Sequence, residues 1–95
     1  MLCALTVRRL KPGTYDQFRA AWEPAPWPPF LSRAYLVRNQ DDPDEVAAFG
    51  FLDMSAAELE ALRDDPAFLM NEAGRMERIG AFEDSVILNA IYEVA

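Results

Sequence analysis

The 95-residue chain contains no histidine. That removes the commonest general base, the imidazole ligands of zinc and haem iron, and every Ser-His or Cys-His nucleophile arrangement. Cysteine is nearly as scarce: Cys3 stands alone, so no intrachain disulfide can form, and it reads as a small apolar strand residue. No apolar run approaches the ~20 residues of a membrane span, and no charged segment precedes a short apolar one as in a secretory leader. The expectation is a cytoplasmic protein without a membrane partner. Positive charge is in deficit, with nine Arg or Lys against sixteen Asp or Glu and a net charge of −7. Such a surface repels phosphate backbones, which argues against nucleic acid as a partner. The run "DDPDE" at 41–45 concentrates four carboxylates but lacks EF-hand spacing and the turn glycine. It reads as a solvated loop tip, and no metal is expected.

What the chain does have is apolar surface to bury. It is 52% hydrophobic and 12% aromatic, too apolar for a disordered segment, and its length suits one small domain spanning 1–95. "LCALTVRRL" at 2–10 reads as a strand closed by the turn Lys11-Pro12-Gly13. Thr14 and Gln17 have capping-box spacing, and Tyr15, Phe18 and Trp22 then fall on one helical face until Pro24. "SRAYLVRNQ" (32–40) and "VAAFGFL" (46–52) read as strands joined by the acidic turn in an antiparallel hairpin. Ser55 and Glu58 form a second capping box. Asp65-Pro66 looks like a fresh helix start, so one helix broken or bent near 64–66 is expected. Its buried face is assigned to Leu69, Ala73, Met76 and Gly80, with Met70 also as core. "SVILNAIYEV" at 85–94 closes the order as a strand. The fold class is therefore α+β, a ferredoxin-like β-α-β-β-α-β with a four-stranded antiparallel sheet and helices on one face.

A sheet with helices on one face should alternate apolar and polar residues. These strands do not: residues 46–52 have no polar side chain, and Ile87 and Ile91 interrupt the phase of Val86, Leu88, Ala90, Tyr92 and Val94. The second face therefore calls for cover, most economically a two-fold homodimer packing sheet on sheet.

From "LTVRRLKPGTYDQFRAAW" through the hairpin to "SVILNAIYEV", the chain resembles the dimeric α+β barrel superfamily, and within it the antibiotic-biosynthesis-monooxygenase-like group. The resemblance lies in the layout of the whole chain and not in a sharp motif. It implies a face-to-face dimer (an α+β barrel) and a small aromatic substrate between sheet and helices, oxidised in some members without metal or flavin. Other members degrade haem with an Asn, a Trp and a His. Here histidine is missing, and Thr6 stands where that asparagine lies on the first strand, so no haem and no other cofactor is expected.

The candidate ligand-binding residues are Trp22, Trp27, Tyr35, Arg75 and Asn89, each with a plainer explanation beside it. "EPAPWPPFLSR" (23–33) reads as a stiff connection with Trp27 as its anchor. Together Trp22 and Trp27 can line a pocket mouth or simply pack in the core. Asn89 lies within an apolar strand, where a buried amide either bonds across the sheet or dimer seam or holds a substrate oxygen. Tyr35 and Arg38 occupy opposite faces of their strand, so at most one reaches a given cavity. Arg75 is a candidate ligand cation or an exposed partner of Glu72 or Glu77. With no histidine, proton transfer would fall to Tyr35, Tyr92, an arginine-tuned group or water. Two functions remain open at this point. One is a homodimer that binds, and oxidises or rearranges, a compact aromatic or quinone-like molecule. The other is a non-catalytic dimeric module whose own side chains fill the core.

Overall fold

The computed structural model describes residues 1–23 and 28–95. Its elements are β1 (Leu2–Leu10), α1 (Tyr15–Trp22), β2 (Leu31–Arg38), β3 (Glu45–Leu52), α2 (Ala56–Arg63), α3 (Pro66–Gly80) and β4 (Glu83–Glu93). The strands form one sheet in the order β2-β3-β1-β4, with every neighbouring pair antiparallel. Strands β1 and β2 thus run parallel with β3 between them, connected through α1, which is the split βαβ arrangement. The sequence expectation of a ferredoxin-like sheet with helices on one face holds.

Local chemistry accounts for most element boundaries. Gly13, at φ 75°, supplies the left-handed turn that ends β1. The Ser55 hydroxyl accepts from the Glu58 amide at 3.1 Å while the Glu58 carboxylate accepts from the Ser55 amide, a complete capping box at the start of α2. Asp65 accepts from the Ala67 and Phe68 amides, and Pro66 occupies the first turn of α3. The helix expected to be broken or bent near 64–66 is broken there, into α2 and α3.

Two expectations about helices are corrected. Thr14 precedes α1, but its hydroxyl donates to the Lys11 and Phe82 carbonyls at 2.7 and 3.3 Å and leaves the helix amides alone. It ties the β1 turn to the start of β4 instead of closing a capping box. On α3 the face toward the sheet carries Phe68, Glu72, Arg75 and Ile79, one residue earlier than the assigned set. Leu69 and Met70 point outward, and Met76 stands at the rim of a cleft. The spacing is the same, but one residue is 100° of helix rotation, so polar side chains occupy the inner face.

β4 carries a bulge. Val7 pairs with Leu88 but Arg8 pairs with Val86, so Ile87 is the extra residue. The bulge reverses the strand's parity: Leu88, Ala90 and Tyr92 share one face, while Val86 moves to the side of Asn89 and Ile91. The simple alternation expected from Val86 to Val94 is therefore wrong at Val86.

The face away from the helices is built from three cross-sheet rows: Arg33–Phe51–Cys3–Tyr92, Tyr35–Phe49–Leu5–Ala90 and Val37–Ala47–Val7–Leu88. Tyr35, Val37, Leu88 and Tyr92 are exposed there, so this face is as apolar as the strand composition implied. The helix-side face holds two core clusters. One gathers Leu10, Phe18, Trp22, Val46 and Ile79; the other, at the opposite end of the sheet, gathers Leu2, Leu52, Met54 and Leu59.

The acidic turn is more than a solvated tip. Asp42 accepts from Arg9 of β1 at 2.9 Å, and Asp44 accepts from the Gly13 amide at 3.2 Å. The hairpin loop is thereby clamped to the other turn at the same end of the sheet.

Candidate functional site

Between the two core clusters the helix-side face is made of small residues. Its middle rows read Ala34–Gly50–Ala4–Ile91 and Leu36–Ala48–Thr6–Asn89. Short side chains on three strands cannot fill the space beneath the helices, and a cleft of about 780 Å³ results. Gly50 sits at the crowded centre of this floor. A Cβ there would sit 2.8 Å from a Leu31 methyl and 3.3 Å from the Arg33 carbonyl oxygen. A volume of this order suits a drug-sized molecule. Among the described residues, a space of this size counts against the reading in which the chain's own side chains fill the interior.

The walls are aromatic and cationic. Trp22 closes one side from α1, only 6% exposed. Phe30 and Phe68 stand at the other end, with ring centroids 6.4 Å apart. The Arg75 guanidinium from α3 lies 6.0 Å from the centre of the Trp22 ring. On the floor, Arg8 is nearly buried, donates from Nε to Glu83 Oε2 at 2.9 Å, and lies 5.7 Å from the Phe18 ring centre. Burial pulls the Arg8 pKa below its usual value, and Glu83 works against that shift. For Arg75 burial is again the main lowering cause; Glu72 opposes it, and Arg8 and Arg78 add to it. Arginine remains a cation under such shifts, so the direction marks the desolvation of both guanidinium groups, with like charges adding to it at Arg75.

Of the sequence candidates, Trp22, Arg75 and Asn89 line this cleft. Asn89 pairs with Thr6 in register, and its Oδ1 accepts from the Thr6 hydroxyl at 3.2 Å. The cross-sheet bond foreseen for this amide therefore exists, on the cleft floor, and the residue is exposed to the cleft. Trp27 lies outside the described residues. Tyr35 is a correction: it lies on the opposite face of the sheet, stacked on Phe49 at 5.2 Å between centroids. The two-residue strand period that turns Ala34 toward the cleft turns Tyr35 away. Tyr92 shares that far face by its pairing with Cys3, so neither tyrosine is placed to move a proton in the cleft. Arg38 is on the helix side, yet its guanidinium lies 3.9 Å from the ring centre of Tyr15 and not in the cleft.

Sequence reasoning missed Thr6, Arg8, Gly50, Arg63 and Arg78, all of which line the cleft. The signal for the floor was present as Ala4, Ala34, Ala48 and Gly50 in strands of otherwise large residues. The signal for the walls was the polar phase of α3, which looked like a solvated face. Among the described residues, no group of three or more His, Cys, Asp or Glu side chains is placed to hold a metal ion. The cleft can hold a flat apolar body between indole and phenyl rings, and it can bond oxygen substituents through the Thr6–Asn89 pair and the guanidinium groups.

No family model matches the sequence, and no curated protein does. Solved structures match closely in shape. A protein from Chloroflexus aurantiacus J-10-fl with the provisional name antibiotic biosynthesis monooxygenase aligns with a TM-score of 0.73 at 17% identity, covering 99% of this chain and 93% of that one. A conserved protein from Methanosarcina mazei Go1 aligns with a TM-score of 0.70 at 10% identity, over 99% and 92% of the two chains. A variant of a cofactor-independent oxygenase from Streptomyces nogalater aligns with a TM-score of 0.60 at 15% identity, over 98% and 91%. The chain thus has the fold of the antibiotic-biosynthesis-monooxygenase-like structures. Among the described residues, no helix is long and apolar enough to cross a membrane.

Proposed function

We propose that this protein binds a compact, electron-rich aromatic molecule in the cleft between sheet and helices and oxidises it with dioxygen, using no metal or flavin. The observation that carries the reading is the small-residue floor under aromatic walls, an apolar slot with a few convergent polar groups. The cofactor-independent oxygenase with the same fold supports the reaction class. Without a cofactor, all four electrons taken by O2 must come from the substrate. A ring methylene that becomes a carbonyl supplies them: one oxygen atom enters the product and the other leaves as water. The methylene proton must first be lost to give an electron-rich enolate. With no histidine and both strand tyrosines on the far face, the proton passes to water or to Glu72, the acidic side chain among the described cleft residues. The Asn89 NH2 group, held in place by the Thr6 hydroxyl, donates to the enolate oxygen.

The chain acts as a homodimer in this reading. The three apolar rows of the far face support it, since an uncovered patch of that extent is unusual on a monomer.

Anthrone, which has such a methylene, is a suitable probe. In a Trp27→Phe background Trp22 is the sole indole, and its fluorescence should be quenched saturably by anthrone as dissolved oxygen is consumed. Quenching without oxygen uptake would reduce the protein to a binding module. Absence of both would remove the reading. Sedimentation velocity tests the assembly: a dimer is expected, and Phe49→Lys should give a folded monomer. A wild-type monomer would leave the far face unexplained and refute the dimer.

A further inference from the structure

The cleft runs against the charge of the molecule that contains it. Four of the nine basic residues, Arg8, Arg63, Arg75 and Arg78, line it, against Glu72 alone of sixteen acidic residues. We propose that the ligand of this cleft is an aromatic monoanion, a planar ring system carrying one ionised carboxylate, and that Arg75 with Arg78 binds the carboxylate while Trp22 covers the ring. The inference rests on the cleft being the ligand site, and it adds the charge and recognition group of the ligand.

Several observations support a monoanion. Three of the four arginines have a carboxylate close by: Glu83 accepts from Arg8, Glu60 from Arg63, and Glu72 lies three residues before Arg75 on α3. The group therefore has four positive and three negative charges, which one carboxylate neutralises and a phosphate dianion overshoots. Arg63 pairs with Glu60 on the surface, both largely exposed, so that pair belongs to the rim. Arg8 is committed to Glu83 and close to the Phe18 ring, so it adds a fixed positive field under the floor. Arg75 and Arg78, three residues apart on α3 and both lining the cleft, are the recognition pair. Burial and the like charges of Arg8 and Arg78 already disfavour the Arg75 cation. A guanidinium presents planar paired donors that match a carboxylate, and Trp22 lines the same cleft with its ring centre 6.0 Å from the Arg75 guanidinium. Outside the cleft the molecule is strongly acidic, so an anion gains there only what this one region offers.

The test compares 2-naphthoic acid with 2-naphthamide, the same rings with and without the charge, by calorimetric titration of the full chain. The acid is expected to bind about tenfold or more tightly than the amide. That advantage should shrink as salt is raised. Arg75→Gln should bring the two within about twofold of each other by weakening only the acid. Arg78→Gln, at an exposed position, should narrow the gap partly, and it keeps the test valid if Arg75→Gln fails to fold by circular dichroism. 1-Naphthyl phosphate is expected to bind more weakly than the acid; tighter binding would overturn the monoanion assignment. Equal binding of acid and amide overturns the proposal while leaving the cleft as an aromatic site. Binding of neither at ~1 mM overturns both.

Discussion

The Thr6 hydroxyl donates to Asn89 Oδ1 at 3.2 Å across the β1–β4 pair, on the cleft floor. This bond fixes which end of the amide faces β1, and in the proposed reading the NH2 group serves a ligand oxygen. Thr6→Val should cost little stability, about 1 kcal/mol or less because the pair is exposed, while weakening an oxygen-bearing ligand severalfold. Asn89→Ala should weaken the same ligand by about tenfold. Denaturant midpoints and calorimetric affinities measured on both variants check this. Unchanged affinity in both would take the pair out of the site.

Arg8 and Glu83 form the innermost ion pair, with side chains 7% and 23% exposed. Glu83→Ala leaves a nearly buried cation without its carboxylate and should cost about 3 kcal/mol. Glu83→Gln keeps an acceptor and should cost clearly less. A urea series on the two variants gives the comparison, and equal losses would mean that packing, not charge, holds Arg8.

Gly50 has no room for a side chain beside Leu31 and the Arg33 carbonyl. Gly50→Ala must displace β2 or the Leu31 methyl and should lower stability by about 1–3 kcal/mol. Ala4→Leu, which extends into the open cleft, should instead leave stability near wild type and abolish binding. Thermal melts beside ligand titrations separate the two effects.

Asp42 accepts from Arg9 and from the Asp44 amide, and these bonds hold its carboxyl below the usual carboxylate range, the Arg9 bond most of all. A depressed folded-state pKa means the contribution is fully present above the unfolded value and is lost as pH falls through the folded one. Asp42→Asn should therefore lower the urea midpoint at pH 7, and the difference from wild type should close on acidification below pH ~4. A gap that stays constant with pH would assign the effect to the loop's shape alone.

The β-α-β-β-α-β order, the break at Asp65-Pro66 and the two-faced apolar sheet were legible in the sequence, because each follows from signals a few residues apart. A proline at a helix start, a capping serine and strand alternation act through neighbours. Asn89 and Trp22 were found as candidates for the same reason, one polar group in an apolar strand and one indole on an amphipathic face. Tyr35 was misplaced because strand parity says only that it opposes Ala34, and not which of the two faces the helices cover.

The cleft itself belongs to the tertiary structure. Ala4, Ala34, Ala48 and Gly50 become a floor only when register sets them side by side, and register is a relation between distant segments. The inner face of α3 was likewise decided by packing. Its apolar stripe and its polar stripe have the same period, and the space left over small sheet residues lets Glu72 and Arg75 turn inward where Ala73 and Met76 were expected. The sequence alone determined which elements form and in what order, because those choices are local; which side chains meet around the cleft was decided by long-range pairing, which no local periodicity encodes.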